Sequence, residues 1–134
     1  MKICIVIANY YPKISKELFL GATKQLNKSG LKNYKKVIVP GVFEIPVIIA
    51  KKIDLYDAFI VLGCVIKGKT PHFNLISRAT INSLSYLSAS YKKPIGNGII
   101  TCLNMKQAEE RSNLKKKNKG GEAANAVISV LRIK

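Results

Sequence analysis

"AFIVLGCVIKGKTPHF", Ala58 to Phe73, decides how the chain folds. The run from Ala58 to Val65 is apolar without alternation and carries β-branched and aromatic side chains. It is too short for a core helix, so it reads as a strand buried on both faces. Lys67-Gly68-Lys69-Thr70-Pro71 breaks the run. A long helical pattern then begins at His72, the only histidine of the chain, and continues to Ser90. A two-face-buried strand feeding directly into a helix is the signature of a parallel sheet with helical crossovers.

The same alternation extends in both directions. "ICIVIA" (Ile3 to Ala8) is a second buried strand, and Ser15 to Ser29 places Leu18, Ala22 and Leu26 on one helical face before Gly30. "KVIVP" is a strand ended by Pro40-Gly41, and Ile45 to Ile53 reads as a helix with Pro46 in its first turn. Past the central helix, "IGNGIITC" (Ile95 to Cys102) is the fourth strand. Asn104 and Gln107 are spaced as an N-cap and capping-box partner for a helix to Arg111. A basic loop follows, and a last helix begins near Glu122. The expectation is one domain over residues 1–134: a flavodoxin-like, three-layer α/β sandwich around a four-stranded parallel sheet.

Composition narrows the function classes. The chain has 134 residues, 48% of them hydrophobic and 22% charged, the ordinary globular range. No apolar stretch reaches the roughly 18 residues that span a bilayer, and no leader is visible, so a cytoplasmic protein without a membrane partner is expected. Cys4, Cys64 and Cys102 lie far apart, with no Cys-x-x-Cys pair. They read as buried small hydrophobes, not as disulfides or metal ligands. The net charge is +16. Its lysines are spread along the chain apart from Lys115 to Lys117, with no interleaved aromatics, so nucleic acid is not the expected main partner. An anionic small-molecule substrate suits the charge equally well.

Ligands of open parallel sheets sit beyond the carboxyl ends of the strands. Three such ends carry chemistry: Asn9-Tyr10-Tyr11, "PGVFEIP", and "GCVIKGKTPHF". Lys-Gly-Lys-Thr lacks the glycine-bounded spacing of a nucleotide-binding P-loop. It still sets Gly68, Lys69 and Thr70 at a strand-to-helix turn, where backbone amides and a hydroxyl can cradle an anion. His72, in the first helical turn, can exchange protons with a ligand or simply stand as a surface histidine at a helix start. Tyr10 and Phe43 can sandwich a flat heterocycle or simply pack at the rim. Glu44 can favour a helix start or face a ligand.

Taken together, "GVFEIP", "LGCVIKGKTPHF", "PIGNGIITCLNMKQAEERS" and "NKGGEAA" resemble, in order, the signature segments of the 6,7-dimethyl-8-ribityllumazine synthase family. The resemblance runs from Ile3 to near the end of the chain. It implies a flavodoxin-like fold and an enzyme that condenses 5-amino-6-(D-ribitylamino)uracil with 3,4-dihydroxy-2-butanone 4-phosphate, without metal or organic cofactor. It implies that Tyr10 stacks on the pyrimidine and that Val42, Phe43 and Glu44 hold the ring and ribityl chain. It assigns the uracil edge to Cys64, Val65 and Ile66, the phosphate turn to Lys69 and Thr70, and proton transfer to His72. Asn97 corresponds to a uracil contact, Arg111 to the phosphate arginine, and Lys119 to a second basic residue near it.

Asn97 falls near the start of its strand, and Arg111 closes a helix that runs back from the carboxyl edge. Both are therefore expected toward the edge opposite His72. One chain could not then complete the site, and a neighbouring subunit of a homo-oligomer, a pentamer in the family resembled, would supply Asn97, Arg111 and Lys119. Only Met1 and Lys2 precede Ile3, where relatives often have a further strand, so thinner contacts between subunits are expected. The competing reading is a non-catalytic binder of a flavin-like or nucleotide-like ligand on the same fold.

Overall fold

A computed structural model describes all 134 residues. In chain order the elements are β1 (Ile3–Ala8), α1 (Pro12–Lys28), β2 (Tyr34–Val39), a 3-10 turn (Val42–Glu44), α2 (Ile45–Lys52), β3 (Ala58–Ile66), α3 (His72–Tyr91), β4 (Ile95–Cys102), α4 (Met105–Ser112) and α5 (Lys119–Leu131). The four strands are all parallel, in the order β2-β1-β3-β4. This is the expected α/β sandwich.

Side chains alternate across the sheet and build a core on each face. On one face Ile3, Ile5, Ile60 and Leu62 meet Leu18, Ala22 and Leu26 of α1 and Val127 of α5. On the other, Cys4, Val6, Phe59 and Val61 meet Ile45 and Ile49 of α2 and Leu84 of α3. Each fully buried Ile, Leu or Phe contributes roughly 1.5–3 kcal/mol through removal from water. All six residues of β1 are buried, which explains why its sequence shows no polar alternation.

Two helix starts differ from expectation. Helix α1 begins at Pro12, because proline is pre-organised for a first helical position. Ser15 instead lies inside the first turn, where its hydroxyl donates to the Ala8 carbonyl (2.7 Å) and ties β1 to the helix. Helix α5 begins at Lys119, three residues before Glu122, with Asn118 as its cap and Gly121 N–H donating to Asn118 Oδ1 (3.1 Å). Gly120 and Gly121 are helical because α1 lies against them: a Cβ on Gly120 would sit 2.0 Å from the Leu18 carbonyl oxygen. The cap of α4 is as expected. Gln107 N–H donates to Asn104 Oδ1, and Gln107 Oε1 accepts from Leu103 N–H, both at 2.8 Å.

The two outer strands leave free edges, and β4 shows how one is managed. Phe59 N–H donates to Pro94 O and Lys67 N–H to Cys102 O, so even-numbered backbone groups of this segment face β3. The groups of Asn97, Ile99 and Thr101 therefore face away. Side chains satisfy two of them. Ile99 N–H donates to Asn97 Oδ1 (3.0 Å), and Arg111 Nη1 donates to the Thr101 carbonyl (2.7 Å). Occupied edge groups are poor templates for unintended strand pairing.

Candidate active site

The chain passes from β1 outward to β2, then returns across β1 to β3. The connections that leave β1 and β3 thus diverge to opposite faces of the sheet, and a crevice opens at their carboxyl ends. A cleft of about 560 Å³ lies there, within the usual size range for small-molecule sites. Its walls come from four segments. Tyr10 and Tyr11 follow β1. Pro40 to Glu44 follow β2. Cys64 to Ile66 end β3. Gly68, Thr70, His72, Phe73 and Ile76 belong to the turn and first turns of α3.

Nine of the thirteen residues singled out in the sequence line this cleft: Tyr10, Val42, Phe43, Glu44, Cys64, Val65, Ile66, Thr70 and His72. Tyr10 is 71% exposed and Phe43 62% exposed, so neither is spent on the core. Both leave aromatic surface open in the cleft. Tyr10 and Tyr11 meet edge to face, with ring centroids 4.9 Å apart. Thr70 Oγ1 accepts from the His72 N–H at 3.4 Å and so orders the turn that carries the histidine. Gly68 of the expected anion-cradling turn lines the cleft as well, whereas sequence reasoning missed Phe73 and Ile76 as walls. Ile76 was findable, because it lies one helical turn beyond His72.

Four expected residues lie elsewhere. Lys69 is exposed on the turn and does not line the cleft, while its neighbours Gly68 and Thr70 do. Asn97 borders a different hollow with Ser85, Ser88 and Ala89, late in α3. At about 1.5 Å per residue that is roughly 20 Å along the helix from His72. Lys119 starts α5 and pairs with Glu122 at 3.1 Å, a surface pair worth little on its own.

Arg111 corrects the expected geometry. It is not at the far edge, because helical side chains tilt toward the helix N-terminus and the arginine reaches back. Its guanidinium meets Thr101, which pairs in register with Val65 of the cleft wall. It therefore lies at the level of the cleft, displaced sideways onto the outer side of β4. Of the two residues expected at the opposite edge, only Asn97 lies there.

The profile of the 6,7-dimethyl-8-ribityllumazine synthase family matches residues 1–134. A protein of that name from Buchnera aphidicola subsp. Acyrthosiphon pisum is 43% identical over 136 residues, covering 98% of this chain and 85% of its own. Namesakes from Nitrobacter hamburgensis and Bartonella bacilliformis are each 42% identical, over 97% of this chain and 83% and 88% of theirs. The chain belongs to the 6,7-dimethyl-8-ribityllumazine synthase family.

Within this lumazine synthase fold the three thiols are buried and free, as expected. Burial pushes Cys64 up to about 12, with Cys102 beside it acting in the same direction. Burial raises Cys4 to about 11. Cys102 is also raised by burial, against the opposing pull of the Arg111 charge. All three therefore stay protonated at neutral pH and are poor nucleophiles. No group of three or more His, Cys, Asp or Glu side chains is placed to hold a metal ion. No helix is long and apolar enough to cross a membrane. A second hollow, about 770 Å³, lies between α1 and α4 and shares Tyr11, but it has no histidine and no strand-end backbone.

Proposed function

We propose that the protein condenses 5-amino-6-(D-ribitylamino)uracil with 3,4-dihydroxy-2-butanone 4-phosphate, giving 6,7-dimethyl-8-ribityllumazine, phosphate and water. The observation that carries the reading is convergence. Nine positions recognised along the sequence come together in one cleft at the switch point, with His72 in its wall, in a chain of this family.

In this reading Tyr10 stacks on the pyrimidine, and Val42, Phe43 and Glu44 hold ring and ribityl chain. The backbone from Cys64 to Ile66 meets the uracil edge, and Thr70 with Lys69 forms the phosphate turn. The amine of one substrate attacks the ketone of the other to give an imine, and the ketone oxygen leaves as water. Phosphate leaves, and the ring closes with loss of water. His72 moves the protons these steps require. The cleft needs no metal or organic cofactor for this chemistry, because most of its work is to hold two reactants together. Good orientation alone can supply up to roughly 7–11 kcal/mol of a barrier.

Arg111, Lys119 and Asn97 act from an adjacent subunit of a homo-oligomer, a pentamer by family resemblance. The sideways displacement of Arg111 onto the outer side of β4 supports this, because that side faces away from its own cleft. Three buried free thiols suit a reducing compartment, and we read the protein as a single-domain cytoplasmic enzyme. The test is direct. The purified protein is mixed with both substrates and lumazine absorbance is followed. Formation well above the uncatalysed rate is expected, and a rate equal to background would overturn the assignment.

A further inference from the structure

Gly63 interrupts the row of side chains that β3 presents to α2 and α3, between Val61 and Val65. Ala8 of β1 adds a second small residue to the same face. Together they leave a depression in the sheet directly below the 3-10 turn. Val42 fills it and is buried there, whereas its neighbour Phe43 stays exposed in the cleft. The fit is close. A Cβ on Gly63 would lie 2.8 Å from Val42 Cγ1 and 3.0 Å from the Ala8 Cβ. Ordinary carbon contacts are about 3.5–4.0 Å, so such a Cβ would lift Val42 by about 1 Å. Phe43 and Glu44 share its single turn and would be lifted with it.

We propose that Gly63 is a positioning residue: it sets the depth at which the Val42–Glu44 turn sits on the sheet, and hence the placement of Phe43 and Glu44 against the pyrimidine substrate. The claim rests on the reaction proposed above. It adds a residue that touches no substrate and acts only through Val42. A displacement of this size at a positioning group can cost on the order of 100-fold. The phosphate-bearing substrate is held by other segments, so its binding should be untouched.

The test compares the two substrates in the full-length protein. Gly63→Ala should raise KM for the pyrimidine amine about tenfold and leave KM for the phosphate ester within about twofold. Adding Val42→Ala removes the nearer of the two close contacts, the one that lifts the turn, and should return the amine KM to near that of Val42→Ala alone. A uniform rise in both KM values, an unchanged amine KM, or no recovery in the double variant would each overturn the proposal. If Gly63→Ala does not fold, Ala8→Val, at the other small residue of the depression and outside the cleft wall, probes the same seat. It should raise the amine KM with no change for the phosphate ester, and an unchanged amine KM counts against the seat. Riboflavin, a fused heterocycle bearing a ribityl chain, separates this from failure of the reaction itself. A wild type that makes no lumazine but binds riboflavin more tightly than Gly63→Ala would sink the reaction and keep the seat. Equal riboflavin binding in both proteins, without catalysis, would sink the two together.

Discussion

The crevice between β1 and β3 and the Arg111 end of the outer side of β4 sit at the same level of the sheet, yet they are built differently. The crevice is walled by four segments of one chain, because connections diverge to both faces there. The β4 side has no such divergence. It is an edge, and its distinctive side chains, Asn97 and Arg111, are engaged with β4's own backbone. Aromatic and apolar groups for holding a ring gather in the crevice, and the arginine proposed to hold phosphate lies on the edge. The shared site proposed above would place the edge of one copy against the crevice of another.

The two regions should respond oppositely to one added methyl group. Gly120 seats α5, the helix that covers β4, against α1, and its Cβ would meet the Leu18 carbonyl at 2.0 Å, a backbone atom that cannot swing aside. Gly120→Ala should cost about 3 kcal/mol, which lowers Tm by roughly 10 °C in a chain of this size. Gly68 lines the crevice with nothing within 4 Å of the position a Cβ would take. Gly68→Ala should stay within about 0.5 kcal/mol. Thermal melts of both variants decide the matter, and similar melting points would remove the contrast.

The division between copies is tested by complementation. Arg111→Ala should lower kcat/KM by roughly 10- to 100-fold, the worth of a charge-assisted hydrogen bond to phosphate. His72→Ala should slow the reaction by about tenfold or more. Co-assembled from the two variants, about a quarter of the interfaces in a ring would pair an intact His72 with an intact Arg111. Activity should then recover to roughly that fraction of wild type. A site contained in one chain would give no recovery.

How much of this could be read along the chain follows the same line. The crevice residues were legible because each ends a strand or follows one by a short connection, and strand ends are marked by glycine, proline or a change of period. β1 and β4 were placed to the residue. The start of α5 was not, since Gly120 and Gly121 look like a loop until Leu18 of α1 is known to need the space. Arg111 was assigned the wrong level because a position on a helix does not show where a long side chain ends. The seat of Val42 on Gly63 joins residues distant in sequence and leaves no local mark.

The cap of α4 offers a smaller test of the edge region. Asn104→Ala removes the acceptor for Gln107 N–H and should cost about 1 kcal/mol. That corresponds to a fall in Tm of roughly 4 °C. Arg111 lies at the other end of the helix and keeps its bond to Thr101, so Arg111-dependent activity at 25 °C should survive the change. A loss of activity as large as that of Arg111→Ala would mean that the helix start, not the Thr101 carbonyl, holds the arginine.

The thiols give the gentlest comparison, because Cys64 sits in the crevice wall and Cys102 beside the edge arginine. Burial holds the Cys64 proton until about pH 12, against an ordinary value of 9.0. The unfolded chain therefore loses this proton first as pH rises. Above about pH 9 it binds fewer protons than the folded chain, and stability falls with pH. Below that value the thiol contributes its full stabilisation, and the loss runs from about pH 9 up to the folded value. Arg111 opposes the shift at Cys102, so that thiol should contribute less of the slope. Urea midpoints at pH 8 and pH 10.5 should show a steeper decline for wild type than for Cys64→Ala. Cys102→Ala should flatten the decline less. Equal slopes for all three proteins would mean that the two thiols do not share the environment described, and that the buried contact between crevice and edge is looser than their packing implies.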